Sequence, residues 1–194
     1  MTKTDKRSRK TVHAIQTTLL RLLCGRKMRE VRIVDLCTEA DINRTTFYLH
    51  FAGLSDVLDG LRSEIVETIF ARGINKVIDF DTPRNPLPFL TVCTDVLASC
   101  ENFGDFVRLS SDADVFLTKL KNEFCEQLFR RYSDARGEET AGARHVFRFL
   151  IAGVLDCYTE WLKAGSKIPF EEVLGTCAPL VSAGQRLLMR AQRA

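Results

Sequence analysis

A run of hydrogen-bond donors between residues 43 and 51 is the part of this sequence best suited to specific binding chemistry. Its polar side chains are of the types that contact phosphates and base edges in nucleic acids, namely Arg44, Thr45, Thr46, Tyr48 and His50. Phe47 and Phe51 are four residues apart, so they give a helix here one aromatic side suited to a core. The spacing predicts a short helix that other elements hold in place while its polar side faces outward.

The residues upstream predict the elements that position this helix. Asn43 is a good N-cap residue, and the apolar pattern over residues 33–40 predicts another short helix just before it. Asp41 occupies the turn between them, where left-handed dihedral angles are useful and Asp tolerates them. Apolar spacing over residues 12–23 predicts a supporting first helix. This order is typical of a helix-turn-helix, although an aromatic-anchored helix end without a binding role has the same local pattern.

The pattern over residues 33–51, with TFYLHF at 46–51, resembles the DNA-binding domain of TetR/AcrR-type transcriptional regulators. Residues 149–153, 161–165 and 169–172 resemble, more weakly, the C-terminal domain of one branch of that family. The resemblance implies an all-α fold with a three-helix helix-turn-helix domain and a basic N-terminal arm over residues 1–53. A long fourth helix would join it to a helical effector-binding and dimerisation domain over residues 54–194.

The resemblance also implies roles for individual side chains. Arg44 and Thr45 would contact bases, and Leu49 would contact a thymine methyl. The phosphate contacts would come from Thr46, Tyr48 and His50. Together with Arg32 and the capping residue, the expected DNA-contacting set is Arg32, Asn43, Arg44, Thr45, Thr46, Tyr48, Leu49 and His50.

Two positions depart from the family pattern. Leu54 stands where many members carry a phosphate-binding Lys at the start of the fourth helix, and Arg32 stands where many carry Thr at the start of the second. We therefore expect backbone anchoring to shift towards Arg32 and the N-terminal arm.

The net charge of +3 is unevenly distributed along the chain. Residues 1–50 hold 11 Lys and Arg against 5 Asp and Glu, a net +6, whereas residues 51–194 hold 17 against 20, a net −3. The basic arm before the first predicted helix contains Lys3, Lys6, Arg7, Arg9 and Lys10. This excess is the electrostatic footprint of a polyanion binder, in line with the expected double-stranded DNA partner, although a solvated tail has the same composition.

Several function classes are disfavoured. We expect a cytoplasmic protein without membrane insertion, since no run of 18 apolar residues occurs and the basic N-terminus leads into no apolar signal region. The seven cysteines form neither a CxxC pair nor a zinc-spaced Cys/His cluster, so we expect reduced core thiols, no metal and no cofactor. Widely separated histidines and the lack of a phosphate loop or nucleophile elbow argue against an enzyme.

The rest of the chain has helical periodicity, with a long helix from Leu54 to about residue 78 and a proline-rich linker at 81–88. Most phenylalanines lie beyond residue 69, and they are consistent either with an ordinary core or with a cavity for an apolar or aromatic effector. The residues expected to line such a pocket are Phe89, Cys93, Phe103, Phe106, Phe116 and Phe149.

The last two predicted helices show more apolar surface than one core requires, which predicts a four-helix bundle between two subunits. The expected dimer interface comprises Phe147, Leu150, Val154, Tyr158, Trp161, Val173, Leu180 and Leu187. We interpret the chain as a homodimeric regulator, most directly a ligand-released repressor of a pseudo-palindromic operator. The alternatives are a cysteine-based redox-sensing regulator on the same fold and, less directly, a helical adaptor or enzyme.

Overall fold

A computed structural model describes residues 3–74, 85–136 and 141–190. Within these ranges the regular structure is helical and contains no β-strand, so the predicted all-α class is confirmed for the described chain. None of the described helices has both the length and the apolar character needed to cross a membrane.

The described ranges contain nine α-helices. They are α1 (Lys3–Leu23), α2 (Ile33–Glu39), α3 (Arg44–His50), α4 (Leu54–Ile69), α5 (Leu87–Ser99), α6 (Phe103–Leu109), α7 (Ala113–Arg136), α8 (Ala141–Lys163) and α9 (Phe170–Arg190). A π-helical turn, Phe70–Ile74, continues α4. Residues 75–84, which include the end of the predicted long helix and half of the predicted linker, lie outside the described residues.

The basic N-terminal segment differs from the expected arm because it belongs to α1, which begins at Lys3. Lys and Arg are good helix formers, so the apolar pattern that starts at residue 12 does not mark where the helix begins. The side chains of Lys6, Arg7, Arg9 and Lys10 are exposed along its first turns. The positive charge is therefore presented from a helix rather than from an extended segment.

The chain divides into two compact units. The first contains residues 1–64 and 98–116, and the second contains residues 65–97 and 117–194. The division falls within α4, and the inclusion of residues 98–116 in the first unit was not indicated by the sequence. The domain boundary after residue 53, which came from the family resemblance, stays a prediction.

Residues 98–116 are held in the first unit by polar contacts with α1 and the turn after it. Asn102, with a φ of 65°, donates a hydrogen bond from Nδ2 to the Thr17 carbonyl oxygen at 3.2 Å. The Met28 backbone N–H donates to Oδ2 of Asp112 at 2.9 Å. The Met28 contact supplies a partner to a backbone N–H outside α1, and the two contacts together fix the segment against α1 and the turn after it.

The second unit includes an antiparallel hairpin of α8 and α9. Its turn is closed by the Ser166 N–H, which donates to the Trp161 carbonyl at 3.0 Å, and it contains Gly165 at a φ of 83°, a conformation that favours glycine. Trp161 Nε1 donates to the Ile168 carbonyl at 2.7 Å. The ring of Phe170 lies 5.0 Å from that of Trp161, which packs the end of the hairpin. The turn therefore sets the register of the two helices.

Candidate functional sites

The turn between α2 and α3 has the geometry that its residue types predicted. Asp41 adopts a φ of 52°, and the N–H of Ile42 donates to the Cys37 carbonyl at 3.0 Å. Asn43 caps α3, since its Oδ1 accepts a hydrogen bond from the Thr46 N–H at 2.7 Å. The cap satisfies a backbone donor that the helix itself cannot, so the start of this short helix is well defined.

The aromatic side of α3 fixes its rotation. Phe47 is completely buried and Phe51 is almost so, as predicted. On α2, Leu36 and Cys37 are buried in the same unit. A helix of seven residues has little intrinsic stability, so this burial decides which of its side chains face solvent.

The opposite side of α3 is open to solvent. Arg44, Thr45 and Tyr48 are exposed, and Leu49 is 77% exposed, which is unusual for a leucine in a short packed helix. Thr46 and His50 are half-buried at its edges, and Asn43 is exposed although its side-chain oxygen serves the cap. The structure thus brings the predicted α3 side chains together as one surface.

Arg32 differs from the other predicted contacts because it is engaged in an ion pair. Its Nε and one terminal nitrogen donate to the two carboxylate oxygens of Asp35 at 3.0 and 2.8 Å. These hydrogen bonds lower the pKa of the Asp35 carboxyl, and they raise that of Arg32. The i, i+3 spacing of the two residues was the sequence signal for this pair. The charge of Arg32 is therefore partly compensated by Asp35, unlike that of an unpaired arginine that binds a phosphate.

The second unit contains a partly open apolar cavity of about 150 Å³. Side chains from α5, α7, α8 and α9 line it, among them Phe89, Cys93, Leu97, Phe124, Val154 and Gln185. Burial raises the pKa of the Cys93 thiol well above its ordinary value, so this residue is an uncharged part of the wall. The one side-chain amide in the lining is that of Gln185. Its Oε1 is buried and accepts no hydrogen bond within the part of the chain that the structure describes.

The structure does not bring the six predicted pocket residues together. Phe89 and Cys93 line the cavity, but Phe103, Phe106 and Phe116 form a separate cluster in the first unit, with ring centroids 5.6–6.5 Å apart. Phe149 is 78% exposed. It lies on α8 between two residues that line the cavity, but about 100° of helical rotation per residue turns it outward. The wall residues that were missed, including Gln185, carry no distinctive sequence signal.

The predicted dimer residues are also divided between two sides of the hairpin. Four of them, Phe147, Leu150, Val154 and Tyr158, line the cavity, and Trp161 packs at the hairpin end. Val173 is half-buried, while Leu180 and Leu187 are 68% and 58% exposed. The most exposed large apolar side chains of the described hairpin are Phe149, Leu180 and Leu187, which we call the outer face.

No group of three or more metal-ligating side chains occurs among the described residues. No protein-family model and no curated protein matches the chain. The geometry of the α3 surface, the cavity and the outer face therefore carries the functional argument.

Proposed function

We propose that this chain is a transcriptional regulator of the TetR/AcrR type that binds DNA through α3, and that it is not an enzyme. The observation that carries the proposal is the α2–α3 arrangement. There, a capped helix of seven residues buries one aromatic side and presents Arg44, Thr45, Tyr48 and Leu49 to solvent. A helix of this size, held by a second helix across a tight turn, suits insertion into a DNA major groove.

The chemistry of this surface supports the choice of DNA. A guanidinium in the first turn of a recognition helix suits guanine, whose O6 and N7 accept a bidentate pair of hydrogen bonds. An exposed leucine suits a thymine methyl, and the phenol and imidazole groups suit phosphates. The net +6 of residues 1–50 adds a sequence-independent attraction to the phosphate backbone.

The outer face of the hairpin supports a homodimer. Three large apolar side chains at more than half exposure on one hairpin are costly in water, and two such hairpins would form a four-helix bundle. Closed two-fold symmetry would place two copies of α3 on a pseudo-palindromic operator.

The test is footprinting on the DNA upstream of the chain's own reading frame. We expect two protected half-sites about one helical turn, or a multiple of it, apart. Leu180→Glu should yield a monomer in sedimentation and lose the paired footprint, because it places an unpaired charge in the bundle. Ile168→Glu, at an exposed site in the hairpin turn, is the matched control and should keep both properties. Absence of any DNA binding at low salt would refute the proposal.

The cavity supports an effector that is small, apolar and able to donate one hydrogen bond. Its volume of about 150 Å³ is close to that of an engineered apolar cavity known to take up benzene. The buried Gln185 amide oxygen provides an acceptor that a ligand hydroxyl can satisfy. A phenol-like molecule meets both requirements. Release of DNA would require that the ligand bind the DNA-released arrangement more tightly than the DNA-competent one. A ligand with equal affinity for both would not shift the equilibrium between them.

Thermal unfolding with phenol and with benzene tests this effector class. We expect phenol at about 100 times its Kd to stabilise the chain by about 2.7 kcal/mol, and benzene at the same concentration to stabilise it less. Gln185→Leu should remove the advantage of phenol over benzene. Val154→Phe should fill the cavity and abolish both shifts, whereas the same change at exposed Val115 should leave them intact. No shift with either compound would exclude this class.

A further inference from the structure

Two thiols from different helices lie close together in the α8–α9 hairpin. The Sγ atoms of Cys157 and Cys177 are 3.6 Å apart, and the S–H of Cys177 donates to the Cys157 sulfur. Both residues are half-buried and neither is in a disulfide. We propose that Cys157 and Cys177 are a redox-modifiable dithiol, which a hydroperoxide oxidises to a disulfide that covalently joins α8 to α9. This inference goes beyond the proposed function and does not depend on DNA binding.

The backbone of the hairpin, rather than a chance side-chain rotamer, brings the sulfurs together. Leu150 and Gly184 face each other in the same antiparallel register, seven residues from Cys157 and Cys177 respectively. A Cβ added at Gly184 would lie 2.6 Å from Cδ1 of Leu150, so the two helices approach closely at that level. The turn that contains Gly165 fixes the other end of the register. The thiols thus lie on a line of close helix–helix contact.

The geometry leaves only a small movement for bond formation. A disulfide has a sulfur–sulfur distance of about 2.05 Å, so the two atoms must approach by about 1.5 Å. Rotation of the two cysteine side chains can supply part of this distance without a change in register. Cys125 is buried and Cys93 is half-buried in the cavity wall, and burial raises the pKa of each thiol, which makes them poor competitors for an oxidant.

The reaction proceeds in two balanced steps. The Cys157 thiolate attacks the terminal oxygen of the hydroperoxide, the O–O bond breaks and a sulfenic acid forms. The departing alkoxide or hydroxide takes up the proton that the thiol had released, and it leaves as an alcohol or as water. The Cys177 sulfur then attacks the sulfenic sulfur, its proton leaves with the hydroxyl as water, and the S–S bond forms. Cys157 is assigned the first attack because its sulfur accepts the hydrogen bond from the Cys177 thiol, and such a hydrogen bond favours the thiolate on the acceptor.

The disulfide would act on the wall of the cavity. Val154 and Tyr158 on α8 flank Cys157 in the sequence and line the cavity, as does Val181, one helical turn after Cys177 on α9. A covalent link between the helices at this level would hold that wall in one arrangement. Oxidation would therefore restrict the relative movement of α8 and α9 beside the cavity.

Treatment of the full chain with hydrogen peroxide tests the proposal. We expect the thiol count in denaturant to fall from seven to five, a disulfide-linked peptide pair that contains Cys157 and Cys177, and a product of single-chain size on a non-reducing gel. Cys177→Ser should stop at a sulfenic acid on Cys157 that dimedone traps, whereas Cys157→Ser should neither form the disulfide nor trap dimedone at residue 177. Cys125→Ser is the matched control and should oxidise as the wild type does.

The oxidised wild-type chain should also melt at a higher temperature, and a reductant should reverse the change, because the bond closes a loop in the unfolded chain. A thiol count that stays at seven, a disulfide that maps to other cysteines, or a covalent dimer would each overturn the assignment. Circular dichroism of each variant, recorded before treatment, verifies that it has folded into helices.

Discussion

Replacement of Phe47 by alanine should lower the free energy of unfolding of the first unit by about 3–5 kcal/mol. The ring is completely buried, and its loss leaves a cavity under a helix of only seven residues. Since total stability is typically about 5–15 kcal/mol, α3 should lose its fixed position even if the chain stays folded. The midpoint of chemical denaturation measures the change.

Leu49→Ala is the matched control on the same helix. It also removes most of a large apolar side chain, but at 77% exposure it should change stability by no more than about 0.5 kcal/mol. Equal losses in the two variants would mean that α3 is not docked through its aromatic side, and the rotation that exposes Arg44 would then be wrong.

Arg44→Ala should weaken binding to the operator and should flatten the preference among operator variants. A bidentate contact between arginine and guanine contributes about 1–3 kcal/mol of discrimination, which corresponds to roughly 5–150-fold in affinity. Arg44 lies in the first turn of α3 and is exposed there, beside the Asn43 cap that holds this turn. Titration of operator and scrambled DNA at several salt concentrations gives the ratio of the two affinities.

Tyr48→Phe and His50→Ala separate backbone contacts from base reading. Both variants should bind operator and scrambled DNA less tightly, and to a similar extent, because phosphate contacts carry no sequence information. An unchanged operator-to-scrambled ratio in Arg44→Ala would remove the base-reading role from Arg44. A changed ratio in Tyr48→Phe or His50→Ala would instead assign sequence reading to the second half of α3.

The sequence alone determined those features that depend on neighbours within a few residues. The Asn43 cap, the left-handed Asp41 and the buried Phe47 and Phe51 were all predicted, because capping, turn conformation and helical spacing are local properties. The bounds of most helices followed for the same reason. The pairing of Arg32 with Asp35 is equally local, and its i, i+3 spacing could have predicted it.

Only the tertiary structure decided which apolar surfaces meet. Helical spacing shows that α5 and α6 have apolar residues, but it does not identify their partners, so Phe89 and Phe103 were assigned to one pocket although they lie in different units. On α8, apolar residues occur on more than one side. Only the packing of this helix within the second unit decides that Phe149 is exposed and that Val154 lines the cavity. The proximity of Cys157 and Cys177 likewise depends on the hairpin turn, since a shift in the register of two antiparallel helices would separate the sulfurs without changing either helical pattern.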